Sequence, residues 1–274
     1  MPKPLAPVSC AVQGGASHVA TLAGGLYTLD ERVDIVRVIG TSAGALAAVA
    51  LAFGVDSLKA LGAITELLAD NRVLDFGTAG GHGLCRWGRL RHAIVRLVGE
   101  DATFADALIP CSVVVCDAYE RRPVVFGTEN TPKVKVHEAA TASAALWPLA
   151  DMQTIPSSGR GSRLFFDGGF ARNLAADEWD GHPEPMVALR LNRTTVAVDP
   201  VRDIPHAAMA VLETMLWSAD HAHLSSRADA VVVDLDAIGS GLDFDLTREQ
   251  VLERWTCGRK GVLSAYSAGR LPKV

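Results

Sequence analysis

One serine in this 274-residue chain stands where chemistry is to be expected. Val36-Arg37-Val38-Ile39-Gly40-Thr41-Ser42-Ala43-Gly44 reads as a short apolar strand, a tight turn and the start of a helix. Gly40 and Gly44 flank Ser42 in the spacing G-x-S-x-G. Without side chains there, strand and helix come close enough to hold Ser42 on a strained turn with its hydroxyl exposed, which is the setting of a serine nucleophile. The following helix brings backbone N–H groups and the positive end of a dipole to the same point. The same pentapeptide also serves as a plain glycine turn with an incidental serine, so the surrounding residues have to decide.

Two further stretches carry residue types that a serine nucleophile uses. Val8-Ser9-Cys10-Ala11-Val12 is a strand that runs into Gln13-Gly14-Gly15-Ala16-Ser17-His18 and then into an amphipathic helix reaching Leu29. A loop of Gly14, Gly15 and Ala16 after a strand presents consecutive N–H groups to an anion, either a phosphate or the oxyanion of an acyl transfer. It is not G-x-G-x-x-G and no G-K-[ST] follows, which weakens a nucleotide site. Arg163-Leu164-Phe165-Phe166-Asp167-Gly168-Gly169 is an apolar strand ending on one carboxylate and two glycines. Asp-Gly is often only a hairpin turn, but here it leads into Phe170-Ala171-Arg172-Asn173-Leu174-Ala175 and not into an alternating partner strand.

The elements that must position these residues alternate between strand and helix. Ala45 to Phe53 is nearly all Ala, Leu and Val, too apolar on every side for a surface helix. It is also far shorter than the ~18 apolar residues a membrane span needs. Helices are expected over Ser57–Asp70, Trp87–Val98 (basic and amphipathic), His137–Ala145, about Ile204–Leu224 and Thr247–Ala268. Strands are expected at Asp34–Ile39, Pro110–Asp117 with a hairpin partner at Pro123–Phe126, Pro185–Leu191 and Ala230–Leu235. The glycine-rich Phe76–Gly83 and the basic helix after it suggest a lid over the site, or a surface loop. The Ser- and Gly-rich Pro156–Arg160 stretch reads as a surface loop. No boundary divides the chain, so residues 1–274 are expected to form a single catalytic domain, a three-layer α/β sandwich with a largely parallel central sheet.

Composition sets the outer bounds. With 49% hydrophobic and 21% charged residues the chain can bury a sizeable core, and a net charge of −5 gives no electrostatic footprint for nucleic acid. Five cysteines, at 10, 85, 111, 116 and 257, contain no C-x-x-C pair, and no signal-peptide core follows the N-terminal Met-Pro-Lys-Pro. Free thiols in a reducing cytoplasm are expected. Cys111 and Cys116 point to opposite faces of one strand, and His221 and His223 to different sides of one helix. No metal site and no cofactor are expected.

Taken together, the Gly14-Gly15 loop, Gly40-Thr41-Ser42-Ala43-Gly44, and Asp167-Gly168-Gly169 with Asn173 resemble the three signature blocks of the patatin-like phospholipases. Thr141-Ala142-Ser143-Ala144-Ala145 with Trp147-Pro148, and Phe244-Asp245-Leu246-Thr247 before the last helix, are similar to further family features. The resemblance implies a Ser-Asp dyad with Ser42 as nucleophile and Asp167 as its base, an oxyanion hole at Gly14, Gly15 and Ala16, and an acyl-ester or lipid substrate, with transient contact to a lipid surface. A carboxylate with the ordinary pKa near 4 is a poor base. Desolvation by Phe165 and Phe166 would raise it, within limits set by the Gly168 and Gly169 N–H groups.

Departures fall in the first block, where Ala16, His18 and Val19 stand against the family's third glycine, basic residue and last glycine, and after Asn173, where Leu174-Ala175 stands against the family's common leucine and proline. Ala16 carries a steric penalty if its φ must be positive, and His18 replaces a permanent cation. The rival fold is the ordinary α/β-hydrolase, in which Asp199 and His206 would complete a triad with Ser42. It places its elbow several strands into the sheet, whereas Ser42 follows the second strand. Hydrolysis, acyl transfer or cyclisation through the same acyl-serine, and a catalytically weakened binding protein remain the three functional readings.

Overall fold

The strand β1 (Pro7–Val12) and the strands to either side of it explain why so much of the chain is apolar. The structure, a computed structural model, describes residues 5–69, 81–157, 161–179, 181–192, 230–273 and, between them, 207, 210, 211, 214–216 and 218. Among these residues β1, β2 (Asp34–Thr41), β3 (Cys111–Asp117), β4 (Arg122–Gly127), β5 (Gln153–Ser157), β6 (Gly161–Asp167), β7 (Met186–Asn192) and β8 (Val231–Asp236) form one sheet. Its order is β5-β6-β3-β2-β1-β7-β8, with β4 also pairing β3. The run β3-β2-β1-β7-β8 is parallel, while β4, β5 and β6 are antiparallel additions at one side. Strands buried on both faces need no polar alternation, and β3 is accordingly buried at every position.

Alternate residues face two different cores. Val8, Cys10 and Val12 of β1 and Val187, Leu189 and Leu191 of β7 join the larger core. Ala11, Ile39, Val114, Met186 and Ala188 join a smaller one on the opposite face with Leu174 and Trp179. The larger core is covered by α1 (Val19–Asp30), α2 (Ala43–Ala52), α3 (Ser57–Leu68), α4 (Gly88–Val98), α5 (Val136–Ser143) and α7 (Arg248–Ser267), and the short helix α6 (Gly169–Arg172) follows β6. The helix expected near Ile204–Leu224 is helical at the few described positions, and Thr214 Oγ1 donates to Ala210 O.

Two helices show why particular residues are small. Helix α1 is buried almost all round because α7 lies across its back. A Cβ on Gly24 would strike Trp255 O, and one on Gly258 would strike Thr21 O. Helix α2 packs against β1 and β2 on the same principle, and its Ala-rich sequence lets it sit inside the core as expected from composition. Helix α7 starts on a capping box, with Gln250 N–H donating to Thr247 Oγ1 at 3.2 Å and Thr247 N–H to Gln250 Oε1 at 2.7 Å.

Pro156 and Ser157, expected in a loop, are the end of β5, an edge strand paired with β6, and residues 158–160 lie outside the described residues. Phe76 to Gly80 of the expected lid also lie outside them. The part described, from Gly81 on, is pinned to the segment after α5: Gly83 N–H donates to Asp151 Oδ1 at 2.6 Å, Trp147 Nε1 to His82 O at 2.7 Å, and Trp87 Nε1 to Ala144 O at 2.6 Å. This portion is hydrogen-bonded to the segment that follows α5.

Candidate active site

Parallel strands β1 and β2 end side by side, with Val12 opposite Gly40, so the glycine loop and the serine turn emerge together. Strand β6 runs the other way against β3 and places Asp167 opposite Val115, one step from the pairing of Thr41 with Val114. Three stretches remote in sequence thus meet at one level of the sheet. Ser42 sits at φ 52°, ψ −123° between β2 and α2, a left-handed region that a non-glycine residue occupies at a cost. The crowding that enforces it is visible at the glycines. A Cβ on Gly40 would overlap Gly44 O, and one on Gly44 would overlap Val12 O and Gln13 O.

Ser42 Oγ donates to Asp167 Oδ2 at 2.7 Å, and Gly169 N–H donates to the other oxygen, Oδ1, at 2.7 Å. Asp167 is 1% exposed. Burial pushes its carboxyl up from the ordinary 3.8 to about 7, while the Ser42 hydroxyl and the Gly169 N–H restrain the rise. A Cβ on Gly168 would overlap Val114 O, so the turn after Asp167 needs its first glycine to lie flat on β3. A carboxyl with a pKa near neutrality, hydrogen-bonded to a strained serine, can exchange a proton with that hydroxyl at ordinary pH. Next to it, the Cys116 thiol is pushed up to about 12 by burial and by the Asp167 charge, which leaves it protonated.

The elbow is braced by residues for which the sequence offered no role. Ser42 N–H donates to Ser143 Oγ at 2.8 Å, and Ser143 Oγ donates to Val114 O at 2.6 Å. Thr41 Oγ1 donates to Arg172 O at 3.0 Å, joining the serine turn to α6. Ser143 belongs to the Thr141–Ala145 block already noted, but local spacing gives no sign that it meets Ser42, about a hundred residues earlier.

The glycine loop differs from expectation at one residue. Gly14 N–H donates to Asn173 O at 3.0 Å and is therefore spent on joining the loop to the turn after Asp167. With its N–H bonded there, Gly14 has none directed to an oxyanion in this arrangement. It is glycine because a Cβ there would run into Asn173 Oδ1 and Ser42 Cβ. The N–H groups of Gly15 and Ala16 donate to no described residue. Ala16 does take a positive φ, 48°, so the penalty foreseen for it is real.

The cation missing at His18 has a counterpart elsewhere. Arg254 of α7, 3% exposed, donates to Ser17 Oγ at 2.7 Å and to Ser240 O at 3.1 Å, while Ser17 N–H donates to Gly241 O at 2.8 Å. A buried guanidinium thereby holds the loop from behind. Asp199 and His206, the rival triad partners, and His221 and His223 lie outside the described residues. Among the described residues no three His, Cys, Asp or Glu gather as metal ligands, and no helix is long and apolar enough to cross a membrane.

The chain is thus an α/β protein with a serine on a strand-to-helix elbow, hydrogen-bonded to a buried acid at the end of β6. The family model of the patatin-like phospholipases matches residues 10–179, and the chain belongs to that family, which supports a lipid acyl hydrolase. No curated protein matches it in sequence. VipD from Legionella pneumophila has a similar fold, with 14% identity, a TM-score of 0.56, and coverage of 97% of this chain and 67% of VipD. ExoU, crystallised in complex with SpcU from Pseudomonas aeruginosa, is similar at 15% identity and a TM-score of 0.47, covering 99% of this chain and 54% of ExoU.

Proposed function

We propose that the chain, as one catalytic unit, hydrolyses a lipid or other acyl ester through an acyl-serine formed on Ser42, with Asp167 as its base. The observation that carries this reading is the 2.7 Å hydrogen bond from Ser42 Oγ to a buried carboxylate whose pKa lies near 7. Ser42 Oγ attacks the ester carbonyl carbon and its proton passes to Asp167 Oδ2. The carbonyl oxygen becomes an oxyanion, held by N–H groups of Gly15 and Ala16 and by the open first turn of α2. Collapse of the tetrahedral intermediate breaks the bond to the alcohol, which leaves with the proton from Asp167. Water then adds to the acyl carbonyl, giving its proton to Asp167, and the acid departs as the Ser42 hydroxyl is restored.

No histidine is required in this sequence of steps. Gly169 N–H holds Asp167 in place through the oxygen that does not face the serine. Turnover of a short p-nitrophenyl ester by Ser42→Ala tests the reading. The expected result is loss of essentially all activity in a folded protein, because the change removes one buried hydroxyl and its hydrogen bond to Asp167 while keeping the Cβ and the backbone of the elbow in place. Activity near the wild-type level would end it.

A further inference from the structure

Two apolar cavities lie one after the other behind Ser42. The first, of about 40 Å³, has Ala16, Ser42 and Ala43 at one end and Trp87 and Phe244 in its wall. The second, of about 50 Å³, reaches Tyr27, Ala47 and Ala50. They have four lining residues in common, Val19, Leu46, Leu67 and Leu90, one each from α1, α2, α3 and α4. The two cavities thus adjoin at these four aliphatic side chains, called the ring below.

The direction of the helices makes these two voids a line. Helices α1 and α2 both leave the C-terminal ends of parallel neighbouring strands, so both start beside Ser42 and run away from it. The lining residues advance in step: Val19, Ala23 and Tyr27 form one stripe of α1, and Ser42, Leu46 and Ala50 one stripe of α2. Each stripe spans eight residues, which is about 12 Å at a rise of about 1.5 Å per residue. Tetrahedral carbons joined by bonds of about 1.5 Å advance about 1.25 Å each, so an extended alkyl chain of about ten carbons matches that length.

The lining also states the chemistry of the occupant. No charged side chain lines either cavity among the described residues. Apart from Ser42, the polar side-chain groups of the lining are already engaged: Tyr27 Oη donates to Val55 O at 2.7 Å, and Trp87 Nε1 to Ala144 O. Tyr27, stacked on Trp255 with ring centroids 5.8 Å apart, is a fixed floor. As they stand the voids are narrower than a chain, and the leucines of the ring must turn to other rotamers to admit one. Leu46 and Leu67 are only partly buried, which leaves them room to do so.

We propose that the two cavities form an acyl-chain channel, entered at Ser42 and gated by the ring of Val19, Leu46, Leu67 and Leu90, which selects an unbranched aliphatic acyl group of about ten carbons. The proposal rests on the acyl-serine reading, since the channel begins where the acyl carbonyl would be held.

The test is a series of n-alkyl fluorophosphonates, from ethyl to hexadecyl, incubated with the full chain while the second-order rate of Ser42 modification is followed by mass spectrometry. The expected rate rises by about two- to fourfold per added carbon, the upper figure being what full burial of a methylene gives. It breaks at about ten carbons and is flat or falling beyond. Ala47→Leu, which fills the chamber just past the ring, is expected to move the break two to four carbons shorter, and Ala93→Leu to do so from α4. A wild-type rate without chain-length dependence, a rise that continues to sixteen carbons, or a break that folded variants leave in place would overturn the channel. If both variants fail to fold, the wild-type profile alone decides. Modification of Ser42 at a rate independent of length would sink the channel and spare the acyl-serine, whereas no modification by any member of the series would sink both.

Discussion

Replacing Asp167 by Asn separates what the carboxylate does for chemistry from what it does for the fold. The amide keeps the shape and can still bond the Ser42 hydroxyl and the Gly169 N–H, but it cannot take a proton. Turnover of a short p-nitrophenyl ester should fall by ~10² to 10⁴-fold, the usual contribution of a general base. In the wild type, kcat/KM should lose about a factor of ten per pH unit below an apparent pKa of about 7, because only the ionised carboxylate is a base. Stability should move the opposite way. The folded pKa of Asp167 is raised above the ordinary 3.8, so the fold favours the protonated form. Its contribution is fully present below about pH 4 and is lost as pH rises through about 7, a change of about 4 kcal/mol at 1.36 kcal/mol per unit. Asp167→Asn does not titrate, so its stability relative to the wild type should improve by a large part of that amount between pH 4 and pH 8. Urea denaturation at both pH values, alongside the activity profile, reads both effects. An acid limb near pH 4 to 5, or a variant that gains no relative stability at high pH, would refute the claim that burial governs this carboxyl.

Ser143→Ala removes the acceptor of the buried Ser42 N–H and the donor to Val114 O, so thermal denaturation should show a loss of about 1 to 3 kcal/mol together with reduced turnover, and an unchanged melting temperature would mean that the elbow needs no brace. Gly44→Ala drives a methyl into Val12 O and Gln13 O, backbone atoms that cannot turn aside; a destabilisation of about 1 to 3 kcal/mol and loss of activity are expected in denaturant titration and esterase assay. Ala16→Gly relieves a left-handed alanine and should stabilise by up to about 1 kcal/mol with turnover equal or higher, whereas a clear loss of stability would place the strain elsewhere.

The parts of the site that sequence reveals are those whose reason is local. Gly40 and Gly44 exist to let strand and helix touch, Gly168 to let a turn lie on β3, and the all-apolar α2 to sit inside the core, so each carries its own sign in composition or spacing. Asp167 was visible because a carboxylate ending an apolar strand needs a partner. The strand β5 was hidden because five residues containing a proline at a sheet edge look like a loop until β6 is seen beside them. The bond of Ser143 to Ser42, that of Arg254 to Ser17 and the commitment of Gly14 to Asn173 were hidden for a different reason. Each is a contact between segments about a hundred to more than two hundred residues apart, and no local pattern records which backbone group a remote oxygen or guanidinium will meet. The apolar channel is a shared property of four helices, each of which separately reads as an ordinary amphipathic or buried helix.

The central claim is that Ser42 is the nucleophile and that Asp167 activates it. Incubation of the wild type with a fluorophosphonate, followed by proteolysis and mass mapping, addresses it directly, with Asp167→Asn in parallel. The expected result is a single covalent adduct on the peptide containing Ser42, formed much more slowly in Asp167→Asn at pH 8. An adduct on a different residue, or equal rates in the two proteins, would contradict it.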